Sequence, residues 1–528
     1  MPRQTDQTRP TRLLEIPADR DSTGTLRLVN AETEHSYVAL SYCWGGDQPC
    51  KLTKARLREG GVFQTVDLPR TILDAIEVAR NLRITYIWID ALCIVQDDPE
   101  SMWSELEKMP AIYSNATVTI SAASAATCHE GFLRPREAVD FNKVAFKLRL
   151  RTRDGEEGNV FLAPWSKYAQ LEGVEKEPIN DRAWTLQEQV VSPRVLYYSF
   201  QQLHWICRGG IRADGGFCPT DRDTPWKGGS IYRIFALSQT TTDMVDPSIS
   251  AVLAQPDEYA SWRRNWGRLV QDYQARRLTN RDDKLVAISA VGTLFARYMG
   301  TGFVAGLFER DLAIDLLWNR ADDSEAQPRP ATYRAPSWSW ASVDSKTQNK
   351  IATSEILARD AVTMEVLPWP DQQPPTPQAR IGRVPLELRI RAWITKARLR
   401  NEGPRRVLED PQWRLPSDSI ACSLDAVEPD LDTTMGLDVE LVEIYWYPTS
   451  PRRRKGGVPM DKVAGLIALR GEEDGRQTCR RIGRFDMEVS SIYGRAVPPG
   501  GRITRQSQPR RQMVHDAMQS QRCIICLA

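Results

Sequence analysis

The sequence predicts an α/β fold: an open, mostly parallel sheet with flanking helices in the N-terminal part, followed by a mixed α+β C-terminal region. Three observations predict it. Strand-like apolar runs and helix-period stripes alternate from Tyr37 to Ala122. The runs are rich in β-branched and aromatic residues, as buried central strands are. The order strand–helix–strand–helix–strand favours parallel pairing through right-handed crossovers.

Each element has its own signal. Tyr37-Val38-Ala39-Leu40-Ser41-Tyr42-Cys43 is a first strand, ended by Gly45-Gly46. Pro69 opens a helix with Asp67 ahead of it as a cap. Ile72, Ile76 and Ala79 mark the apolar face of that helix, which runs to about Leu82. Tyr86-Ile87-Trp88-Ile89 is a second strand. A second helix starts near Pro99 with Asp98 as its cap, and Met102, Leu106, Met109 and Tyr113 form one stripe along it. Pro110 lies inside this stripe and predicts a kink or an end near Met109. Thr117 to Ala122 alternates as a third strand. Asp181 to Gln189 is a short helix, and Val195–Phe200 with Leu203–Cys207 is a hairpin around Gln201-Gln202. Further on, 259–276, 283–298 and 312–318 have helical patterns, whereas 386–392, 439–447 and 463–469 have strand patterns.

The resulting organisation is an N-terminal tail (1–30), an α/β domain (31–215), a mainly helical region (216–365), a Pro- and Gln-rich linker or loop (366–384), a β-rich region (385–497) and a polar basic tail (498–528). A chain of 528 residues has room for these parts, at about 100–200 residues per domain. Its 41% hydrophobic and 26% charged residues are those of a soluble globular protein. Seventy basic residues balance 68 acidic ones, so no general field for nucleic acid or anionic membrane is expected. The clusters Arg452-Arg453-Arg454-Lys455 and Arg510-Arg511 read as solvated loop charge. Met1 to Arg12 has no apolar core of a secretory signal, and no apolar run reaches bilayer length. A cytoplasmic location and no membrane span are expected.

Ten cysteines over this length do not form a disulfide framework. Cys43, Cys93 and Cys207 sit in apolar runs as free thiols. Cys523 and Cys526 lack a second pair, with only His515 nearby, so no metal is expected. The chain has no phosphate-binding loop, no Gly-x-Gly-x-x-Gly, no His-Glu-x-x-His and no Gly-x-Ser-x-Gly.

In an open parallel sheet, ligands bind at the carboxyl ends of the strands. Those ends are Cys43-Trp44-Gly45-Gly46, Asp90-Ala91-Leu92-Cys93, and Ala123-Ser124 leading to His129-Glu130-Gly131. Gly45 and Gly46 would admit close backbone approach, Trp44 would stack on a ring, and Asp90 would accept from a hydroxyl or simply cap its turn. Cys93 shares that edge. Glu105 lies on the flank of the second helix and needs a partner if buried, with Arg182 or Arg194 as the expected cation. Glu188 carries the same ambiguity between ion pair and chemistry. Trp88 and Trp184 read as core.

Three longer blocks carry a family resemblance. They are Tyr37-x-Ala39-Leu40-Ser41-Tyr42-x-Trp44-Gly45; Leu68-Pro69-x-Thr71-Ile72-x-Asp74-Ala75-Ile76 with Tyr86 to Asp98, Glu105, Met109, Tyr113 and Asn115; and Arg182-x-Trp184-Thr185-Leu186-Gln187-Glu188 with Ser192 and Arg194. In this order and spacing the chain resembles the HET (heterokaryon incompatibility) domain family of filamentous fungi. Weaker similarity continues through Arg334-Ala335-Pro336-Ser337-Trp338-Ser339-Trp340. One departure is Met102, where family members often place a Trp; Trp103 is shifted by one. The resemblance marks Tyr42, Trp88, Asp98, Tyr113, Asn115, Arg182, Trp184, Gln187, Glu188 and Arg194 as motif residues with structural roles. It implies an allorecognition function akin to innate immunity, with the N-terminal domain as a programmed-cell-death effector, and protein partners or self-association. It also implies a remote likeness to TIR domains, some of which cleave NAD. That chemistry passes through an oxocarbenium-like state that a carboxylate stabilises. Glu130 is the candidate by position and Glu105 its rival, with NAD as substrate and no cofactor. A non-catalytic scaffold is the remaining alternative.

Overall fold

A computed structural model describes residues 8–17, 24–135, 146–162, 177–200, 202–207, 210–214, 256–321, 324–349, 362–368, 386–402, 405–409, 420–427, 436–447, 462–473, 476–488, 515 and 520–528. Most of 366–384 and of 498–520, and all of 215–255, lie outside the described residues. The chain divides into two units: Met1–Asp246 with Ala275–Leu278, and Pro247–Gln274 with Thr279–Ala528.

The first unit holds, in chain order, β1 (Arg12–Glu15), β2 (Thr25–Asn30), β3 (Tyr37–Ser41), α1 (Lys54–Arg58), β4 (Val62–Gln64), α2 (Arg70–Asn81), β5 (Tyr86–Trp88), α3 (Asp90–Cys93), α4 (Pro99–Asn115) and β6 (Val118–Ser121). A separate hairpin of β7 (Phe146–Arg151) and β8 (Glu157–Leu162) follows, then α5 (Ala183–Val191), β9 (Arg194–Tyr198), β10 (Leu203–Cys207) and β11 (Gly210–Ala213).

Nine of these strands form one sheet in the order β11-β10-β9-β6-β3-β5-β1-β2-β4. The pairs β3–β5, β3–β6 and β6–β9 are parallel. The pairs β5–β1, β1–β2, β2–β4, β9–β10 and β10–β11 are antiparallel. The sheet is therefore mixed, which corrects the expectation of a mostly parallel one. Helical crossovers link the strands of the parallel centre, whereas short connections such as the β9–β10 turn enforce antiparallel pairing at the edges. β1 and β2 also correct the reading of 1–30 as tail, since both belong to this sheet.

The centre is buried as its sequence predicts. Every residue of β3 and of β6 is buried, which is why both strands are written largely in β-branched, apolar and small side chains. α2 buries Ile72, Ala75, Ile76 and Ala79 on one face. It begins at Arg70 after Pro69, and Asp67 ends a separate helical turn ahead of it rather than capping it. α4 runs through Pro110 to Asn115. The helix thus does not end near Met109: Met109, Ile112 and Tyr113 stay buried on both sides of the proline, and that packing outweighs one lost hydrogen bond. Asp98 takes the N-cap position but makes no cap bond and instead approaches Lys54 at 3.5 Å.

The second unit begins with α6 (Pro256–Ala275) and α7 (Val286–Met299), followed by β12 (Phe303–Val304), β13 (Leu307–Phe308), α8 (Leu312–Asp315), β14 (Asn319–Arg320) and β15 (Thr347–Gln348). Trp266 of α6 packs against Phe295, Phe303 and Phe308. The remaining strands are β16 (Glu365–Val366), β17 (Leu388–Glu402), β18 (Arg405–Glu409), β19 (Ile420–Leu424), β20 (Leu437–Tyr447), β21 (Lys462–Glu473), β22 (Arg476–Glu488) and β23 (Gln521–Leu527), and they form an eight-stranded sheet. β23 pairs with both β17 and β22, so the ladder from β17 through β20, β21 and β22 closes on itself. The last residues are thus a strand, although the sequence reading extends the polar tail to the end.

Candidate functional site

β3 is the first strand of the parallel centre, with β5 on one side and β6 on the other. The chain crosses from β3 to β5 and then back past β3 to β6, and this reversal of direction creates a crevice at the strands' carboxyl ends. The three loops expected to share that edge do so. Cys128 N donates to Trp44 O at 3.2 Å, which ties the loop after β6 to the loop after β3. Trp44 Nε1 donates to Asp90 Oδ2 at 2.9 Å, which ties the latter loop to the end of β5.

A fourth segment completes the crevice. Ile179 N donates to Ala123 O, and Arg182 Nη1 donates to Tyr42 O at 2.5 Å. The Arg182 guanidinium lies 6.0 Å from the Trp44 ring centroid. From there α5 carries Glu188 inward beneath β3. Its carboxyl lies near the Ser41 and Tyr113 side chains; the Tyr113 hydroxyl donates to Leu40 O at 3.0 Å, and Ser41 Oγ has no hydrogen-bond partner among the described residues.

Two carboxyl groups therefore converge on one arginine. Asp90 is half-buried, its carboxyl group enclosed by Trp44, Tyr42 and the Ala91 amide, which donates at 2.7 Å. Burial raises its pKa above the ordinary carboxylate value, against the lowering effects of Arg182 and these hydrogen bonds. Glu188 is 5% exposed, and burial pushes its pKa up to about 7, with Arg182 opposing and the Asp90 charge reinforcing the rise. Arg182 acts on both at a distance: among the described residues it makes no direct ion pair with either. Tyr42 is buried beside them, and its hydroxyl donates to Gln48 Oε1 at 3.2 Å. Trp44, Asp90 and Arg182 keep partial exposure at the mouth, and Glu188 forms the floor. Such a group can hold or release a proton near neutral pH and place negative charge under a bound cationic centre.

The other expected residues fall elsewhere. Glu130 is exposed and accepts from Ala126 N at 3.0 Å and from the Thr127 hydroxyl at 3.4 Å, closing its own turn. Glu105 is buried, but its partners are Thr11, through N at 2.7 Å and through its hydroxyl at 2.5 Å, and Lys108 at 3.2 Å. The expectation of Arg182 or Arg194 as its cation is corrected: Lys108 follows Glu105 by three residues on the same helix face, and Arg194 instead donates to Thr117 O. Cys93 is wholly buried inside α3, where its sulfur accepts from Ile89 N and burial pushes its thiol up to about 12. It takes no part in the crevice surface. Gly45 has φ +72°, and a Cβ there would meet Thr127 at 2.4 Å, so this glycine admits the neighbouring loop. Gly46 has φ +137° and open space where a Cβ would stand. Trp88 is fully buried against Tyr113, Trp184 packs on the same core, and Gln187 is buried on α5. Asn115 Nδ2 donates to Thr8 O at 2.9 Å.

Sequence reasoning missed Glu177. It is 1% exposed, accepts from Phe200 N at 2.8 Å, and burial pushes it up to about 7; its second oxygen has no partner among the described residues. Standing alone before Pro178, it belongs to no motif or periodic pattern that would single it out.

The class that this fold defines is an α/β domain with a carboxylate-floored crevice at its strand ends. Residues 37–188 match the family described as heterokaryon incompatibility protein (HET), and the chain carries a HET domain there. Comparison with curated proteins and with solved structures finds no match. Among the described residues no helix is long and apolar enough to cross a membrane.

Proposed function

We propose that this HET domain is the programmed-cell-death effector of a fungal incompatibility response, and that it acts through the Asp90–Arg182–Glu188 crevice. The observation that carries this reading is the pair of enclosed carboxyl groups with raised pKa values and no direct ion pair. A fold gains nothing in stability from such an arrangement, because a buried charge without a close partner is costly. Groups of this kind concentrate at functional sites.

The same crevice favours cleavage of an N-glycosidic bond in a nucleotide such as NAD. Trp44 offers an indole face beside Asp90, and an ionised Asp90 would stabilise an oxocarbenium-like centre above it. Arg182 would hold a phosphate or balance the carboxylates. Glu188 sits behind them as a positioning residue whose charge sets theirs. Assembly without chemistry is the competing reading.

The test is induced expression of the full chain in a filamentous fungus, scored for viability, with Asp90→Asn and Glu188→Gln as variants. We expect both to abolish killing while accumulating as folded protein. Undiminished killing by both variants would overturn the crevice as the site of action.

A further inference from the structure

A second site lies in the C-terminal unit. A cavity of about 370 Å³ opens between one face of α6 and the segment that carries Trp318, Trp340 and Gln348. That is within the range of small-molecule sites, about 300–1,000 Å³. Three features of its wall fix the chemistry it accepts.

The first is charge. Arg263, Arg264 and Arg268 line it with one aspartate, Asp315, and Arg263 also approaches Asp311 at 3.5 Å. Asp315 is already engaged, by Arg263 at 3.1 Å and by the Phe308 amide at 2.9 Å. Arg268 stands exposed at the rim. The second is shape. Trp318 and Trp340 spend their indole N–H groups on the carbonyls of Trp338 and Gly306, and Arg481 lies 3.6 Å from the Trp318 ring centroid, so the two residues, 3% and 4% exposed, give the wall a narrow strip of ring. Gln348 also lines it, and its buried Nε2 donates to no acceptor among the described residues. The third is Gly267. It lies in the middle of the twenty-residue helix α6, and a Cβ built on it would meet nothing within 4 Å. Glycine there costs about 1 kcal/mol against alanine, and no close packing requires it. Its effect is to leave the cavity open.

We propose that this cavity binds a small planar ring bearing an anionic head, carboxylate or phosphate. The ring lies against Trp318 and Trp340, and the head meets Arg268 and the Gln348 amide. This site is independent of the crevice reading, and it gives the region behind the HET domain a ligand to sense.

Calorimetric titration of the full chain tests it, with indole-3-acetate and adenosine 5′-monophosphate as probes and indole and adenosine as their uncharged counterparts. Saturable binding by either charged probe, about tenfold or more tighter than its counterpart, is expected. Whichever probe binds identifies the head. Arg268→Glu should weaken binding about tenfold or more, and Gly267→Leu should abolish it by filling the space. Leucine is the better helix former, so Gly267→Leu should melt no lower than the parent. Should that variant fail to fold, Arg268→Glu at the exposed rim decides alone. Absence of binding by both charged probes, or binding unchanged in the variants, overturns the proposal.

Discussion

Glu188 holds its proton more tightly in the folded chain than in the unfolded one, because burial pushes its pKa from the ordinary 4.5 to about 7. Between those values the folded state binds more protons than the unfolded state, so stability falls as pH rises through the window. The contribution is intact below about 4.5 and lost above about 7. Its size is about 3 kcal/mol. Glu177 titrates in the same sense. Glu188→Gln keeps the shape and removes the charge. It should raise the melting temperature at pH 7.5, change little at pH 4.5, and flatten the pH dependence between. A melting temperature lowered equally at both pH values would show that the carboxylate is a structural partner. If the gain at neutral pH accompanies loss of killing, Glu188 is a group retained for function at the expense of stability.

One helix, α2, holds the loop after β6 in shape through residues of the family motif. Asp74 of α2 accepts from Phe132 N at 2.7 Å, from Leu133 N at 2.9 Å and from Arg70 Nε at 2.9 Å. Thr71 accepts from Gly131 N and donates to Thr127 O. The Pro69-x-Thr71-x-x-Asp74 pattern thus anchors the loop after β6. Asp74→Ala should leave two amides unsatisfied at a cost of about 1–3 kcal/mol, read as faster hydrogen exchange at Phe132 and Leu133. Unchanged protection there would mean that the loop is held from elsewhere. The central elements were legible because buried strands and amphipathic helices write period and composition into the chain: β3, β5, β6, α2, α4 and the β9–β10 hairpin all fall where the patterns lie. The short strands beyond β5 were not. β1, between β5 and β2, has four residues and β4, at the edge, three, too short for alternation to register, and their pairing is decided by neighbours distant in sequence. The crevice was half legible. Trp44, Asp90, Arg182 and Glu188 each drew attention, but for separate reasons. Nothing local says that Arg182 reaches back 140 residues to the Tyr42 carbonyl.

At the scale of the whole molecule, each unit has a buried polar group that its fold treats differently. In the second unit it is Arg481, fully buried, with Asp425 accepting at 2.9 and 3.1 Å, the carbonyls of Leu316 and Trp318 as further acceptors, and the Trp318 ring 3.6 Å away. It joins β22 to the segment after α8, which no local pattern announces. Arg481→Met would strand Asp425 and should cost about 3–5 kcal/mol, seen as a lower melting transition of the full chain. An unshifted transition would mean that the pair contributes nothing net. In the first unit the corresponding polar group is the carboxylate crevice, and there the cost is unrepaid within the fold. On the proposed function, this crevice performs the chemistry that kills. The most direct measurement is intracellular NAD, timed against viability, after induced expression of the full chain and of its Asp90→Asn variant in a fungal host. NAD is expected to fall before viability in the parent, and both are expected to be spared in the variant. Death of the parent with NAD unchanged would contradict nucleotide cleavage as the cause and leave assembly as the explanation.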